Sequence, residues 1–105
     1  MTETIDSKLT SLREVIADFC WRHRVRKLSL YGSALTDNFA EGSDIDFLVQ
    51  FHPDSIPGLL YLVAMERELS QLLDGRKIDL RTPEDLSPYF RDQVIDKAVC
   101  HYEDA

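Results

Sequence analysis

The chain has 105 residues, enough for one compact core and too few for two, so one domain spanning residues 1–105 is expected. With 44% hydrophobic and 30% charged residues and only four Gly and four Pro, the composition excludes a disordered, collagenous or low-complexity chain. Nineteen Asp and Glu against twelve Lys and Arg give a net charge of −7, which opposes sequence-independent binding to a phosphate backbone, and the longest apolar run, Leu59–Met65, is far shorter than a membrane span. No direct nucleic-acid or membrane partner is therefore expected.

Ile5, Leu9, Leu12, Ile16, Phe19 and Cys20 lay one apolar stripe along a predicted helix from about Ser7 to about Arg22. The opening residues, MTETIDSK, lack the basic and then apolar profile of a leader, which makes the cytoplasm the expected location. Val25 to Tyr31 alternates in type and stops at Gly32, the pattern of a strand entering a tight turn. A polar stretch from Thr36 to Ser43 leads to a second predicted strand, Asp44 to Phe51, in which Ile45, Phe47, Val49 and Phe51 share one face. After a loop with two prolines, Leu59 to Leu73 reads as a helix closed by Asp74-Gly75. A third strand is expected over Arg76 to Arg81, and Thr82-Pro83-Glu84-Asp85 resembles a helix start. The spacing of Phe90, Val94, Ala98 and Tyr102 predicts a last helix beginning at Ser87-Pro88. The order is α-β-(short α)-β-α-β-α-α, an α/β fold. Cys20 and Cys100, both on predicted apolar helix faces, read as reduced, buried thiols rather than as a disulfide or metal site.

Chemistry concentrates in Gly32-Ser33 and, ten residues on, Asp44-Ile45-Asp46. Residues i and i+2 of a strand project from one face, so Asp44 and Asp46 hold two carboxylates side by side while Ile45 and Phe47 anchor the other face. A divalent cation relieves the repulsion of such a pair, and hard oxygen ligands favour Mg²⁺ or Mn²⁺. Acid pairs at this spacing are expected about three times by chance, so spacing alone carries little. The other pair, Glu66 and Glu68, lies on a predicted helix and reads as a solvated face. Asp44 and Asp46 differ in being set in an apolar strand; the alternative is an exposed strand end that simply faces water. Asp79, between Ile78 and Leu80, can join them if its strand is a neighbour, which would allow a two-metal site for phosphoryl or nucleotidyl transfer; alone, it reads as an edge acid paired to Arg76, Lys77 or Arg81. Gly32 would let a phosphate approach the backbone closely while Ser33 and N–H groups donate to it, although a Gly-Ser after a strand is most often just a turn.

Tyr31-Gly32-Ser33, the Asp44-Ile45-Asp46-Phe47-Leu48-Val49 segment and Ile78-Asp79-Leu80 together resemble the hydrophobic-Gly-Ser … Asp-x-Asp … Asp signature of the polymerase-beta-like nucleotidyltransferase superfamily. The short chain and its ending, Thr82 to Arg91, are similar to the minimal nucleotidyltransferases, antitoxin partners of HEPN-domain toxins. The resemblance runs from about Lys27 to Tyr102. It implies a small mixed-sheet palm flanked by helices, with Asp44, Asp46 and Asp79 as catalytic and Mg²⁺-binding residues and Gly32 and Ser33 on the triphosphate of ATP. It also implies transfer of AMP from ATP to a tyrosine of a cognate HEPN ribonuclease, with which the chain would form a homo- or hetero-oligomer. Many members carry an arginine just after the Gly-Ser turn, where this chain has Thr36, and a binding-only antitoxin is the alternative that this departure favours. A small-molecule nucleotidyltransferase would ordinarily need a further acceptor-binding domain.

Two features remain open in sequence. The basic run Arg22 to Lys27 either meets a partner or nucleotide phosphates, or complements the end of the first helix. His23, His52 and His101 show no ligand spacing and are expected at surface or helix-end positions, while Trp21, Tyr61 and Tyr89 suit either an interface or the core.

Overall fold

In a computed structural model the chain is described over residues 4–35, 44–54 and 56–104. The polar stretch from Thr36 to Ser43, with the arginine departure at Thr36, lies outside them.

The Thr4 hydroxyl accepts the Ser7 N–H at 3.0 Å and so caps α1, Ile5–Ser11. One continuous helix is expected here, but Leu12 leaves helical geometry and α2 runs over Arg13–Arg22. The cause is local: the Thr10 and Ser11 hydroxyls donate to the carbonyls of Asp6 and Lys8, at 3.0 and 2.7 Å, and such back-bonding perturbs the helical ladder. The apolar stripe survives the break, with Ile5, Leu9, Ile16, Phe19 and Cys20 all buried.

Strands β1 (Val25–Tyr31), β2 (Ile45–Phe51), β3 (Ile78–Arg81) and β4 (Val99–Glu103) form a sheet in the order β3-β2-β1-β4. β1 is antiparallel to both β2 and β4, whereas β3 is parallel to β2. A parallel pair needs a crossover, and α3, Leu59–Leu72, supplies it. Its end lies where Asp74-Gly75 predicts: both residues take positive φ, and the Gly75 N–H returns to the Ser70 carbonyl at 2.8 Å. Leu28, Leu30, Ile45, Phe47, Val49, Ile78 and Leu80 face the buried side chains of α1 to α3, among them Leu9, Phe19, Met65 and Leu69. The alternate positions on the strands are thereby left for the opposite face.

The C-terminal region departs from expectation. A short 3-10 helix forms at Pro83–Asp85 with Thr82 and Asp85 making a capping box, and α4 covers only Arg91–Lys97. Ala98 is already extended, and Val99 to Glu103 join the open edge of β1 as a fourth strand. The four-residue spacing of Ala98 and Tyr102 is also a multiple of the strand period. The unpaired edge of β1 and the β-branched and aromatic content of this segment decide for the strand. Cys100 is accordingly exposed on an edge strand, not buried on a helix, whereas Cys20 is buried; both are free thiols. Burial pushes the Cys20 thiol up to about 12. Among the described residues no helix is long and apolar enough to cross a membrane.

Phe47 is fully buried beside Asp46 and anchors β2 against the helices. Phe47→Ala is expected to cost about 3–5 kcal/mol of unfolding free energy, read as a lower denaturant midpoint in equilibrium unfolding.

Candidate active site

Three adjacent strands set up the polar face. Tyr31 of β1 stands opposite Asp46 of β2 in the antiparallel register, and Asp46 stands opposite Asp79 of β3 in the parallel one. Residues paired across neighbouring strands share a face, so a tyrosine and two aspartates form a row, while Ile45, Phe47, Ile78 and Leu80 point into the core. Asp44, the residue before β2, adds a third carboxylate whose charge is felt at Asp46.

Electrostatics follow from this alignment. The Asp46 carboxyl is raised above its ordinary value, first by burial and then by the negative charges of Asp79 and Asp44, with Arg81 opposing the shift. The Tyr31 hydroxyl is pushed up to about 12 by burial and by Asp46, so it stays protonated near neutral pH. Two cations answer the acids: Arg81 Nε donates to Asp79 Oδ2 at 3.0 Å, and Lys77 Nζ lies 3.8 Å from Asp44 Oδ2. The Asp79 bond in turn raises the Arg81 guanidinium's proton affinity. Among the described residues no three His, Cys, Asp or Glu side chains are already drawn together to hold an ion. Asp44, Asp46 and Asp79 nevertheless supply the hard oxygen donors that a divalent cation of the Mg²⁺ kind takes, and the mutual repulsion at Asp46 is what such a cation relieves.

Gly32 follows the row directly and begins a 3-10 helix, Gly32–Leu35, that also contains Ser33. Its φ is +80°, and a Cβ built on it would sit 2.7 Å from Asp46 Oδ2. Glycine is therefore required twice, by backbone conformation and by the close approach of a carboxylate. The turn and the acid row are one packed unit.

Several residues around the site had little signal in sequence. Tyr31 stands inside the motif, but only the register reveals it as the neighbour of Asp46. Glu66, expected to be solvated, accepts the Leu80 N–H at 2.8 Å and so ties α3 to the strand carrying Asp79. Glu68 is also engaged, by Arg22 and by His23 Nε2, the latter at 2.8 Å. The basic run is partly neutralised within the chain, since Arg22 also meets Asp18 and Lys27 lies 4.0 Å from Glu103. His52 pairs with Asp104 at 3.0 Å, and His101 is not a surface residue: its mostly buried ring lies 2.8 Å from Asp6. Trp21, Tyr61 and Tyr89 are exposed.

A small mixed sheet with this acid row and a Gly-Ser bend at one strand end defines a nucleotidyltransferase of the minimal kind, and comparison with known proteins agrees. The chain belongs to the nucleotidyltransferase domain family, whose model matches residues 12–101. It is 36% identical over 78 residues to the protein adenylyltransferase MntA of Thermococcus cleftensis, covering 74% of this chain and 73% of the relative. It is 31% identical over 91 residues to MJ0435 of Methanocaldococcus jannaschii, provisionally named a protein adenylyltransferase, covering 87% of this chain and 95% of that protein. Among solved structures, a provisionally assigned minimal nucleotidyltransferase superposes with a TM-score of 0.70 at 31% identity, over 87% of this chain and 90% of the other. A toxin-antitoxin crystallised with AMP-PNP shares the fold, with a TM-score of 0.70 at 18% identity over 88% of this chain and 73% of that one.

Two outcomes follow from the geometry. Gly32→Ala forces a side chain into positive φ and against Asp46, and is expected to cost about 1–3 kcal/mol of stability, measured by thermal or denaturant unfolding. The second concerns pH. A carboxyl whose folded value is raised favours folding in its protonated form, so stability associated with Asp46 is present below the ordinary aspartate value of 3.8 and is lost as pH rises through the raised one. Asp46→Asn, measured without divalent metal, should therefore raise the melting temperature at neutral pH by roughly a few degrees at most, since the group is partly solvated. The difference should shrink towards zero under acid conditions; a lower melting temperature at neutral pH would contradict the assignment.

Proposed function

We propose that this nucleotidyltransferase is an antitoxin that transfers AMP from ATP to a tyrosine hydroxyl of a cognate HEPN-type toxin in the cytoplasm. The observation that carries the reading is the packed unit of Gly32 against Asp46, with Asp79 in register beside it. The relatives named protein adenylyltransferase support the reaction class, and the fold shared with a toxin-antitoxin bound to AMP-PNP supports the nucleotide and the partner.

In this reading the Gly32 turn, seated against Asp46, presents Ser33 and the neighbouring N–H groups as donors to the β- and γ-phosphates. Asp44, Asp46 and Asp79 would hold Mg²⁺, or Mn²⁺, and the bound cation would supply neutralisation of phosphate charge and polarisation at the α-phosphate. Asp79 would then exchange its bond from Arg81, and Asp44 its approach to Lys77, for the cation. The tyrosine oxygen forms a bond to the α-phosphorus, the bond to the β-phosphate bridging oxygen breaks, and pyrophosphate leaves. The hydroxyl proton passes to a carboxylate of the row. Ile45 and Phe47, locked in the core, keep the acids oriented while this occurs.

Incubating the chain with its toxin, ATP and Mg²⁺ should yield a toxin heavier by one or more adenylyl units in intact-mass spectrometry. Asp44→Asn combined with Asp46→Asn should abolish the gain. The second reading is neutralisation by binding alone, favoured by the engagement of Asp79 with Arg81. It would be established if the double variant protected cells from the toxin as well as the unaltered chain does.

A further inference from the structure

On the helical side of the sheet, away from the acid row, three side chains from two helices form a hydrogen-bonded chain. Tyr61 Oη lies 2.7 Å from Nδ1 of His23, and Nε2 of the same ring lies 2.8 Å from Glu68 Oε1. Arg22 donates to the other oxygen of Glu68 and keeps it ionised, so the carboxylate can only accept. Nε2 must then carry the proton, which in the neutral imidazole leaves the Nδ1 lone pair to accept from the Tyr61 hydroxyl. The fully buried Phe19 ring, 4.8 Å from the imidazole between centroids, holds the base in place. A hydroxyl on a base that is itself oriented by a carboxylate is the arrangement that activates an oxygen nucleophile.

We propose that Tyr61 is a self-modification site, an acceptor for the adenylyl group delivered by the acid row of a second copy of this chain. The proposal rests on the adenylyl-transfer reading above and adds an acceptor to it. Tyr61 Oη would form a bond to the α-phosphorus of ATP, the bond to the β-phosphate bridging oxygen would break, pyrophosphate would leave and the hydroxyl proton would pass to His23 Nδ1. Transfer has to run between molecules. α3 packs Met65 and Leu69 against the core face of the sheet, whereas Asp46 and Asp79 lie on the opposite face. Ile56, Leu59 and Leu60, all exposed, flank Tyr61 and give the second copy an apolar surface to cover.

The other three tyrosines supply the contrast. Tyr31 and Tyr102 have hydroxyls raised chiefly by burial, and among the described residues neither meets a base. Tyr89 is 89% exposed against 45% for Tyr61, yet its hydroxyl has no partner among the described residues. Selection by exposure would favour Tyr89; selection by an oriented base favours Tyr61.

The test is incubation of the full chain with ATP and Mg²⁺ in the absence of toxin, followed by intact-mass spectrometry and peptide mapping. One adenylyl unit is expected on Tyr61, at an initial rate that rises with the square of the chain concentration. Tyr61→Phe should abolish the gain and His23→Ala should slow it about a hundredfold, as for loss of a general base, while both variants modify the toxin as the unaltered chain does. A chain carrying Asp44→Asn and Asp46→Asn should be labelled when mixed with the Tyr61→Phe chain. Labelling of Tyr89 instead, indifference to His23→Ala, or a rate per molecule independent of concentration would overturn the proposal. A chain that stays unmodified under conditions that modify the toxin would overturn it and leave the adenylyl-transfer reading standing; no modification of either protein would overturn both.

Discussion

The contact on which this molecule turns is the meeting of the Gly32 backbone with the Asp46 carboxylate, at a separation that no side chain at position 32 would fit. It fixes the bend at the end of β1 relative to the acid on β2. Antiparallel pairing of Tyr31 with Asp46 then sets the height of the bend above the sheet, and parallel pairing with β3 delivers Asp79 to the same level. Each of these relations depends on strand register, and a slip of one residue would send the acids into the core and the apolar side chains outward.

Register is held from the other face. Ile45, Phe47 and Val49 are wholly buried, and the corresponding positions of β3, Ile78 and Leu80, are nearly so. The apolar face thus does the folding and leaves the polar face free to be unfavourable. Asp46 is half-buried beside two further carboxylates, an arrangement that raises its proton affinity and costs stability near neutral pH. Arg81 and Lys77 offset part of that cost as exposed or partly exposed ion pairs, each contributing little by itself. Glu66 acts differently: by accepting the Leu80 N–H it fastens β3 to the crossover helix next to Asp79.

What the sequence disclosed and what it hid divide along a physical line. Strands with one apolar face announce themselves, so the bounds of β1 match the alternation of Val25 to Tyr31 and those of β2 differ by a residue. The same alternation, with Gly32 and Ser33 ahead of Asp44 and Asp46, carried most of the site's composition. Hidden features were those decided by partners distant in sequence. The segment from Val99 to Glu103 fits helix or strand by spacing, and only the open edge of β1 settles it. Glu66, Glu68 and His101 look like surface groups until Leu80, Arg22 and Asp6 are brought to them by the fold. The break at Leu12 was legible in principle, since Thr10 and Ser11 are local competitors for helix carbonyls, but an apolar stripe gives no sign of it.

Charge is distributed by the same logic. The chain is strongly acidic, yet several of its cations are committed internally: Lys8 to Asp74, Arg22 to Asp18 and Glu68, Arg81 to Asp79. Two of these four pairs tie one element to another, α1 to the turn after α3 and α2 to α3, while Arg22–Asp18 lies within α2 and Arg81–Asp79 within β3. Lys97 has no ion-pair partner among the described residues and shares with Gly32 the lining of a cavity whose described residues include no acid. In a chain with a net charge of −7, Arg81 and Lys77 beside the three carboxylates are the cations that lower the negative charge of the acid row itself.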